Sequence, residues 1–149
     1  ISGGSGYLGS GLARAFIGEG HRVWLPLRSQ SSSARISDIE DSCTIKRYSS
    51  WPELEKIVLD LRPNIIIHTA CSYGRNGESS LALIDANLLF GVRLLEISEK
   101  LEHPVKFINT DTCLEANLNK YALSKSQFSD WGKLIANNSR SDVAFIAQW

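Results

Sequence analysis

The stretch SGGSGYLGSGLARAF, residues 2–16, sets Gly3, Gly6 and Gly9 at GxxGxxG spacing directly ahead of apolar residues at helical intervals. Each glycine has its own task in such a turn. The first permits the tight bend, the second lets the backbone approach a pyrophosphate, and the third allows close packing of the helix that follows. A helix beginning near Gly6 turns its free N–H groups and the positive end of its dipole toward that phosphate. A glycine-rich helix entry with no ligand fits the bare pattern too, but here a helix and then a strand follow at the distances a dinucleotide site needs.

Working outward from this turn, short β-type runs alternate with helix-type segments. Residues 21–28 (HRVWLPLR), 43–48 (CTIKRY), 64–71 (NIIIHTAC), 104–112 (PVKFINTDT) and 142–149 (DVAFIAQW) carry the β-branched and aromatic content of strands. Several are apolar on both faces, as a parallel sheet covered by helices on both sides requires. Between them, residues 10–17, 51–61, 83–102 and 121–136 have apolar residues near helical spacing. Ser50 is an expected N-cap, with Glu53 three residues on and Pro52 in the first turn, and Arg62-Pro63 is an expected stop. Residues 29–35 (SQSSSAR) read as a polar loop, and Pro26 inside a strand suggests an edge or a bend. The expected fold is α/β, an open, doubly wound parallel sheet of Rossmann type with right-handed crossovers. Ile1 reads as the last residue of a first strand and Trp149 directly follows another, so residues 1–149 are expected to form a dinucleotide-binding domain incomplete at both ends.

Composition narrows the partners. With 149 residues, 43% hydrophobic and 21% charged, the chain suits one globular domain. Sixteen basic and sixteen acidic residues cancel, which argues against nucleic acid or a membrane surface as partner and for a small molecule. The apolar run at 65–67 is far below membrane-spanning length. Cys43, Cys71 and Cys113 are odd in number, far apart and without CxxC spacing, so neither a disulfide framework nor a metal site is expected, and a reducing, cytoplasmic setting fits.

Two further positions bear on chemistry. At the end of strand 21–28 an acid would hold the ribose hydroxyls of NAD, but Arg28 and Ser29 stand there and no Asp or Glu follows until Asp38. A guanidinium beside hydroxyls suits a 2′-phosphate, so NADP is expected, with NAD the alternative and a solvated strand-end charge the plain reading of Arg28. In KYALSKSQF, residues 120–128, Tyr121 and Lys125 lie one helical turn apart and project side by side. A phenol with a pKa near 10 is a poor proton donor or acceptor at neutral pH, and a neighbouring ammonium stabilises the phenolate. Taken alone, YxxxK is more often a surface aromatic with a lysine lying over it.

In order and spacing, GGSGYLG at the start, HTAC after a buried strand, Asn87 on the next helix, FINTDT on the next strand and YALSK after it resemble the extended short-chain dehydrogenase/reductase (NAD-dependent epimerase/dehydratase) family. The resemblance spans the whole chain. Within the family it is greatest for the nucleotide-sugar epimerases, dehydratases and reductases, and among these for the reductases that make CDP-3,6-dideoxyhexoses such as abequose or paratose. It implies that Gly3, Gly6 and Gly9, with Ser5, Tyr7 and Leu8 between them, cradle the pyrophosphate. Tyr121 becomes the catalytic acid/base. Lys125 bonds the nicotinamide ribose and lowers the tyrosine pKa, Ala70 lies under the cofactor, and Asn87 holds the helix and strands around it. His68 reads as a hydrogen-bonded core residue. A third catalytic hydroxyl falls on Thr112, preferred because the strand then ends with that hydroxyl near the sheet's carboxyl edge; a register two residues earlier chooses Thr110 and puts Asp111 where dehydratases keep an acid. The chain lacks the VYG usual in the family and has a shorter loop, LEANLN, before Tyr121.

The implied activity is an NADP-dependent reduction of a nucleotide-diphosphate 4-keto-6-deoxy sugar. An epimerase or 4,6-dehydratase with tightly held NAD is the alternative within the fold, and a non-catalytic NAD(P)-binding regulatory protein is the alternative outside enzymes. A substrate domain is expected beyond Trp149. Helices 83–102 and 121–136 are the candidates for pairing two copies into a homodimer.

Overall fold

The computed structural model describes residues 1–138 and 143–148. The glycine turn enters helix α1 (Tyr7–Gly18), which returns to strand β1 (Trp24–Arg28). A 3₁₀ helix (Ala34–Ser42) then leads to β2 (Thr44–Tyr48), and α2 (Trp51–Leu61) leads to β3 (Ile65–His68). Next, α3 (Ser80–Ile84), a π-helical turn (Asp85–Leu89) and α4 (Phe90–Ser98) run end to end before β4 (Val105–Thr110). Helix α5 (Lys120–Asn138) and β5 (Val143–Gln148) follow. All named strands pair in parallel, β1 with β2 and β3 with β4 with β5.

Ile1 and Ser2 stand between the two groups of strands. The Ile1 amine donates to the Trp24 carbonyl at 2.7 Å, Ser2 N donates to Ile67 O at 2.9 Å, and Thr69 N donates to Ser2 O at 3.1 Å. The lateral order is therefore β2, β1, Ile1–Ser2, β3, β4, β5. Chain progression reverses direction at Ser2, and the glycine turn leaves the sheet at that reversal. In open α/β sheets this is where a ligand crevice opens beyond the carboxyl ends of the strands. The expected parallel, doubly wound architecture is the one observed.

Local chemistry explains most element ends. Ser50 caps α2 through Glu53 N, while the Glu53 carboxylate reaches back to Ser49 N at 2.7 Å, one residue before the cap. Arg62 closes α2 in the left-handed region at φ 46°, ahead of Pro63. The helix expected at 83–102 starts earlier, because Ser79 caps it through Ala82 N at 3.2 Å, and it ends at Ser98. The residues after the polar loop form the 3₁₀ helix, whose Ile36 and Ile39 reach the core. Pro26 lies inside β1, which pairs with β2 along its whole length. Backbone groups alternate sides along a strand, and Trp24 turns its carbonyl toward Ile1, so Pro26 faces the same way and its missing N–H takes nothing from the β1–β2 ladder. Asp142 and Trp149, the outer residues of the last expected strand, lie outside the described residues.

The apolar residues divide into two groups. Leu54, Val58, Leu94, Leu95, Phe107 and Phe128 anchor one around β3–β5, and Ala13, Leu25, Leu27, Ile36 and Ile39 anchor the other between α1, β1 and the 3₁₀ helix. His68 sits inside the first region, fully buried, its Nδ1 2.7 Å from Ser2 Oγ and its ring stacked on Phe90 and edge-on to Phe128. Burial first, and then the Lys125 charge, hold its pKa down to about 3, so the ring is neutral. Glycine lets the aromatics close in: a Cβ on Gly91 of α4 would stand 2.4 Å from the Phe128 ring of α5, whereas one on Gly11 of α1 would meet nothing within 4 Å.

Gly91→Ala is therefore expected to lower stability by about 1–3 kcal/mol through overpacking, and Gly11→Ala to raise it by roughly 0.5–1 kcal/mol through helix propensity, both read from urea denaturation. His68 makes a pH prediction. An unfolded imidazole binds its proton below about pH 6.5 and the folded one only near 3, so the unfolded state holds more protons across that window. Stability should be full above it and fall as pH drops through it. In His68→Gln the part of this slope above the carboxylate range should vanish, and an unchanged slope in urea midpoints taken at successive pH values would remove His68 as its cause.

Candidate active site

The turn itself is held by backbone. Gly6 N donates to Gly3 O at 2.9 Å and Ser10 N to Gly6 O at 3.0 Å. Gly3 has φ +71°, and a Cβ there would stand 2.6 Å from Ala70 N and 2.7 Å from Thr69 Oγ1. A Cβ on Gly9 would meet Gly3 O at 2.3 Å. The two segments that sequence reasoning joined only through the resemblance, GGSGYLG and HTAC, thus lie in direct contact. No side chain caps the start of α1 at Gly6, and Tyr7 is 89% exposed, with Leu8 half-exposed, so these side chains leave the helix start clear. Open N–H groups at a helix N-terminus, with glycine where a Cβ would intrude, fit a pyrophosphate.

Arg28 ends β1 at the same carboxyl edge and is exposed. Ser29 after it donates through N and Oγ to Tyr48 O at 2.9 and 3.0 Å. Sequence reasoning missed Arg47, whose Nη1 donates to Ser29 O at 3.1 Å and to Ser31 O at 3.0 Å and so shapes the loop beside Arg28. A basic residue in a strand of mixed polarity carries no pattern by which this could be found.

Across the sheet, the π-helical turn carries Asn87 inward, buried to 1% exposure. Its Oδ1 accepts from Ser72 N at 2.7 Å, and its Nδ2 donates to Ser72 O at 2.9 Å and to Ser124 Oγ of α5 at 3.0 Å. Asn87 thus clasps the loop after β3 by its backbone and ties it to the tyrosine helix. One extra residue in a helical turn reorients a side chain, and such turns recur at functional sites.

Tyr121 and Lys125 occupy successive turns of α5, as expected. Lys125 is buried to 1% exposure, and its Nζ donates to Asn109 Oδ1 at 3.3 Å. Burial pulls the lysine pKa down, opposed by the charges of Cys71 and Asp111. The acidified phenol expected at Tyr121 draws on a bound cofactor's positive charge as well as on Lys125, and the chain's own groups push the other way. Tyr121 is pushed up to about 12, first by burial and then by the charges of Cys71, Tyr73 and Asp111, with Arg75 pulling it down. The Lys125 ammonium is turned onto Asn109, so desolvation of the phenolate wins. Asn109, Ser129 and Asp111 were not anticipated as a cluster: Ser129 Oγ donates to the Asp111 carboxylate, and Asp111 N donates to Gln148 O. The alternation of FINTDT placed Asn109 on the buried side with Phe107, which is the signal that marks it.

The two candidate hydroxyls differ. Thr110 Oγ1 donates to His68 O at 3.0 Å, which commits its proton to the end of β3. Thr112 Oγ1 accepts from Leu114 N at 3.2 Å and keeps its proton to give. His68, walled by aromatics and neutral, is a core residue, as expected. Among the described residues no group of histidine, cysteine and carboxylate side chains could hold a metal, and no helix is long and apolar enough to cross a membrane.

Comparison with known proteins bears on the family and the fold. The chain is 27% identical over 158 residues to the CDP-abequose synthase of Salmonella typhimurium, covering 98% of this chain and 50% of that protein. It is 28% identical over 135 residues to the CDP-abequose synthase of Yersinia pseudotuberculosis, covering 85% and 46%. The chain thus spans about half the length of the curated relatives it matches. Among solved structures, the Bordetella bronchiseptica enzyme WbmG in complex with NAD superposes with a TM-score of 0.78 at 17% identity, over 99% of this chain and 50% of that one. The UDP-glucose 4-epimerase of Thermotoga maritima, solved with UDP-glucose, gives 0.80 at 19% identity over 97% and 52%. The family model for the NAD dependent epimerase/dehydratase family matches residues 1–131, and the chain belongs to that family.

Proposed function

We propose that this chain is the cofactor-binding and proton-donating part of an NADP-dependent reductase of a nucleotide-diphosphate 4-keto-6-deoxy sugar, working in the cytoplasm. The observation that carries this reading is likeness, at 27% identity over 98% of the chain, to a protein named CDP-abequose synthase, which suggests a CDP-linked substrate. Tyr121 is protonated at neutral pH, as a phenol pushed up to about 12 must be, and that is the form a proton donor starts from. An epimerase or 4,6-dehydratase that begins by oxidising its sugar needs the same residue as a base at the outset.

A reduced nicotinamide supplies the hydride when bound. The first turn of α1, with Gly3, Ser5, Gly6, Tyr7, Leu8 and Gly9, holds the pyrophosphate through backbone N–H groups. Ala70 lies against Gly3 beneath the cofactor, and Asn87 keeps its loop in place. Arg28 and Ser29 at the end of β1 meet the 2′-phosphate. Lys125, buried beside Asn109, bonds the nicotinamide ribose. Tyr121 would give its proton to the sugar carbonyl oxygen, and Thr112, whose hydroxyl proton is uncommitted, would polarise that oxygen. Exposed Leu123, Trp131 and Leu134 along α5 and Leu81 on α3 supply the surface through which two copies pair.

With a CDP-linked 4-keto-6-deoxy sugar and NADPH, Tyr121→Phe is expected to lower turnover by about 10²–10⁴-fold while dinucleotide affinity stays nearly unchanged. Turnover that survives the substitution removes the acid role, and product formed without net loss of NADPH absorbance assigns an epimerase or dehydratase instead. In the same assay Thr112→Val should cost about 10²-fold; if Thr110→Val carries that loss and Thr112→Val does not, the hydroxyl is Thr110. Calorimetric titration of Arg28→Ala should show about ten- to a hundredfold weaker NADP binding, the worth of a charged hydrogen bond, with NAD binding unaltered. Equal losses for both dinucleotides would return Arg28 to a solvated strand end.

A further inference from the structure

The loop after β3 is internally braced. Ser72 Oγ donates to Glu78 Oε1 at 3.0 Å, Asn76 N donates to Glu78 Oε2 at 2.8 Å, and Asn87 clasps Ser72 by both backbone groups. Gly74 and Gly77, at φ +71° and +77°, make the two bends, and a Cβ on Gly74 would already touch Leu83 at 3.1 Å. The braced loop presents two side chains over the candidate site. The Tyr73 ring stacks on the Tyr121 ring, centroids 4.9 Å apart and planes 30° off parallel, and the Arg75 guanidinium lies 5.0 Å over the Tyr73 ring. Tyr73 is 56% exposed, although a free aromatic of that exposure has no need of an ordered seat.

We propose that Tyr73 and Arg75 are positioning residues for the Tyr121 phenol. Tyr73 fixes the plane of the Tyr121 ring by offset stacking, and Arg75, seated on Tyr73, brings a cation toward the phenol that Lys125, turned onto Asn109, does not supply.

Stacked rings prefer an offset, near-parallel arrangement that restricts rotation of each, and a guanidinium is attracted to the face of a tyrosine. A ring held this way presents its hydroxyl in one direction, which a proton donor must do before its substrate arrives. The titratable groups around Tyr121 are Cys71 and Tyr73 of the loop and Asp111 after β4, all of which disfavour its phenolate, and Arg75, which favours it. Lys120, at the start of α5, and Asp85, in the π-helical turn packed against it, are exposed. Arg75 acts on Tyr73 in the same sense, against the neighbouring Cys71 and burial. One loop cation therefore serves both phenols. This inference rests on the reading of Tyr121 as proton donor, but its test does not need turnover.

Nuclear magnetic resonance of the chain labelled at tyrosine reads both effects. The four tyrosines are assigned with single Tyr→Phe variants. In Tyr73→Leu the Tyr121 ring protons should move downfield as the shielding of the stacked ring is lost, whereas Tyr73→Phe should keep that shielding. Arg75→Gln should lower the phenolate fraction of Tyr121 at a fixed alkaline pH by about threefold, the effect of one cation at the edge of a solvated site, and Arg75→Lys should restore most of it. Unchanged Tyr121 ring shifts in Tyr73→Leu would overturn the stacking role, and an unchanged phenolate fraction in Arg75→Gln would overturn the charge role. If turnover survives Tyr121→Phe while these shifts behave as expected, the donor assignment has failed and the positioning of the ring stands.

Discussion

The crevice depends on a contact too close for a side chain. Gly3 lies against the Ala70 backbone and the Thr69 hydroxyl, with Gly9 against Gly3 in turn, and Ser2 is bonded into the end of β3 on one side while Ile1 reaches β1 on the other. Any Cβ at Gly3 or Gly9 would push α1 away from the point where strand order reverses. Because α1 is held there, its uncapped N-terminus opens into the same crevice as the ends of β1, β3 and β4. The glycine turn and the residues at the ends of β3 and β4 are thus set relative to one another by backbone packing.

On the other side of that crevice burial governs the chemistry. Lys125 is enclosed with Asn109 as its one hydrogen-bond partner among the described residues, and His68 beneath it is kept neutral by the same apolar surroundings. Desolvation lowers a lysine and raises a tyrosine, so both members of the Tyr121–Lys125 pair are pushed toward their uncharged forms. Proximity of one helical turn is therefore not enough to acidify the phenol. The Lys125 ammonium is bonded to Asn109, and burial of the phenol decides the sign.

Legibility in the sequence followed the range of the physics involved. Alternating β and α periods, the GxxGxxG turn and the Ser50–Glu53 cap are local patterns, and each appears in the structure where the residues implied it. The 3₁₀ helix at Ala34–Ser42 was not legible, since its two buried isoleucines are too few to make a period. The π-helical turn was hidden for a related reason: Asp85–Leu89 continues a helical pattern, and only the tertiary bond from Asn87 to Ser72 shows that the register has slipped. Arg47, Asn109 and Tyr73 escaped because their partners lie on other segments, and Arg75, two residues from Tyr73, because its place over that ring depends on the bends at Gly74 and Gly77. No spacing within one segment encodes one ring stacked on another or an amide aimed at a lysine.

These long-range contacts also set the resting charge of the phenol. A base is made by stabilising an anion, and the surroundings of Tyr121 do the reverse: burial disfavours the phenolate first, the Asp111 carboxylate adds to that, and the buried lysine is spent on an amide. A higher pKa also makes the phenol a weaker acid, so this environment opposes loss of the proton whatever group is to receive it. Countering that takes positive charge close to the ring, and Arg75, seated on Tyr73, is the loop cation that acts in that sense.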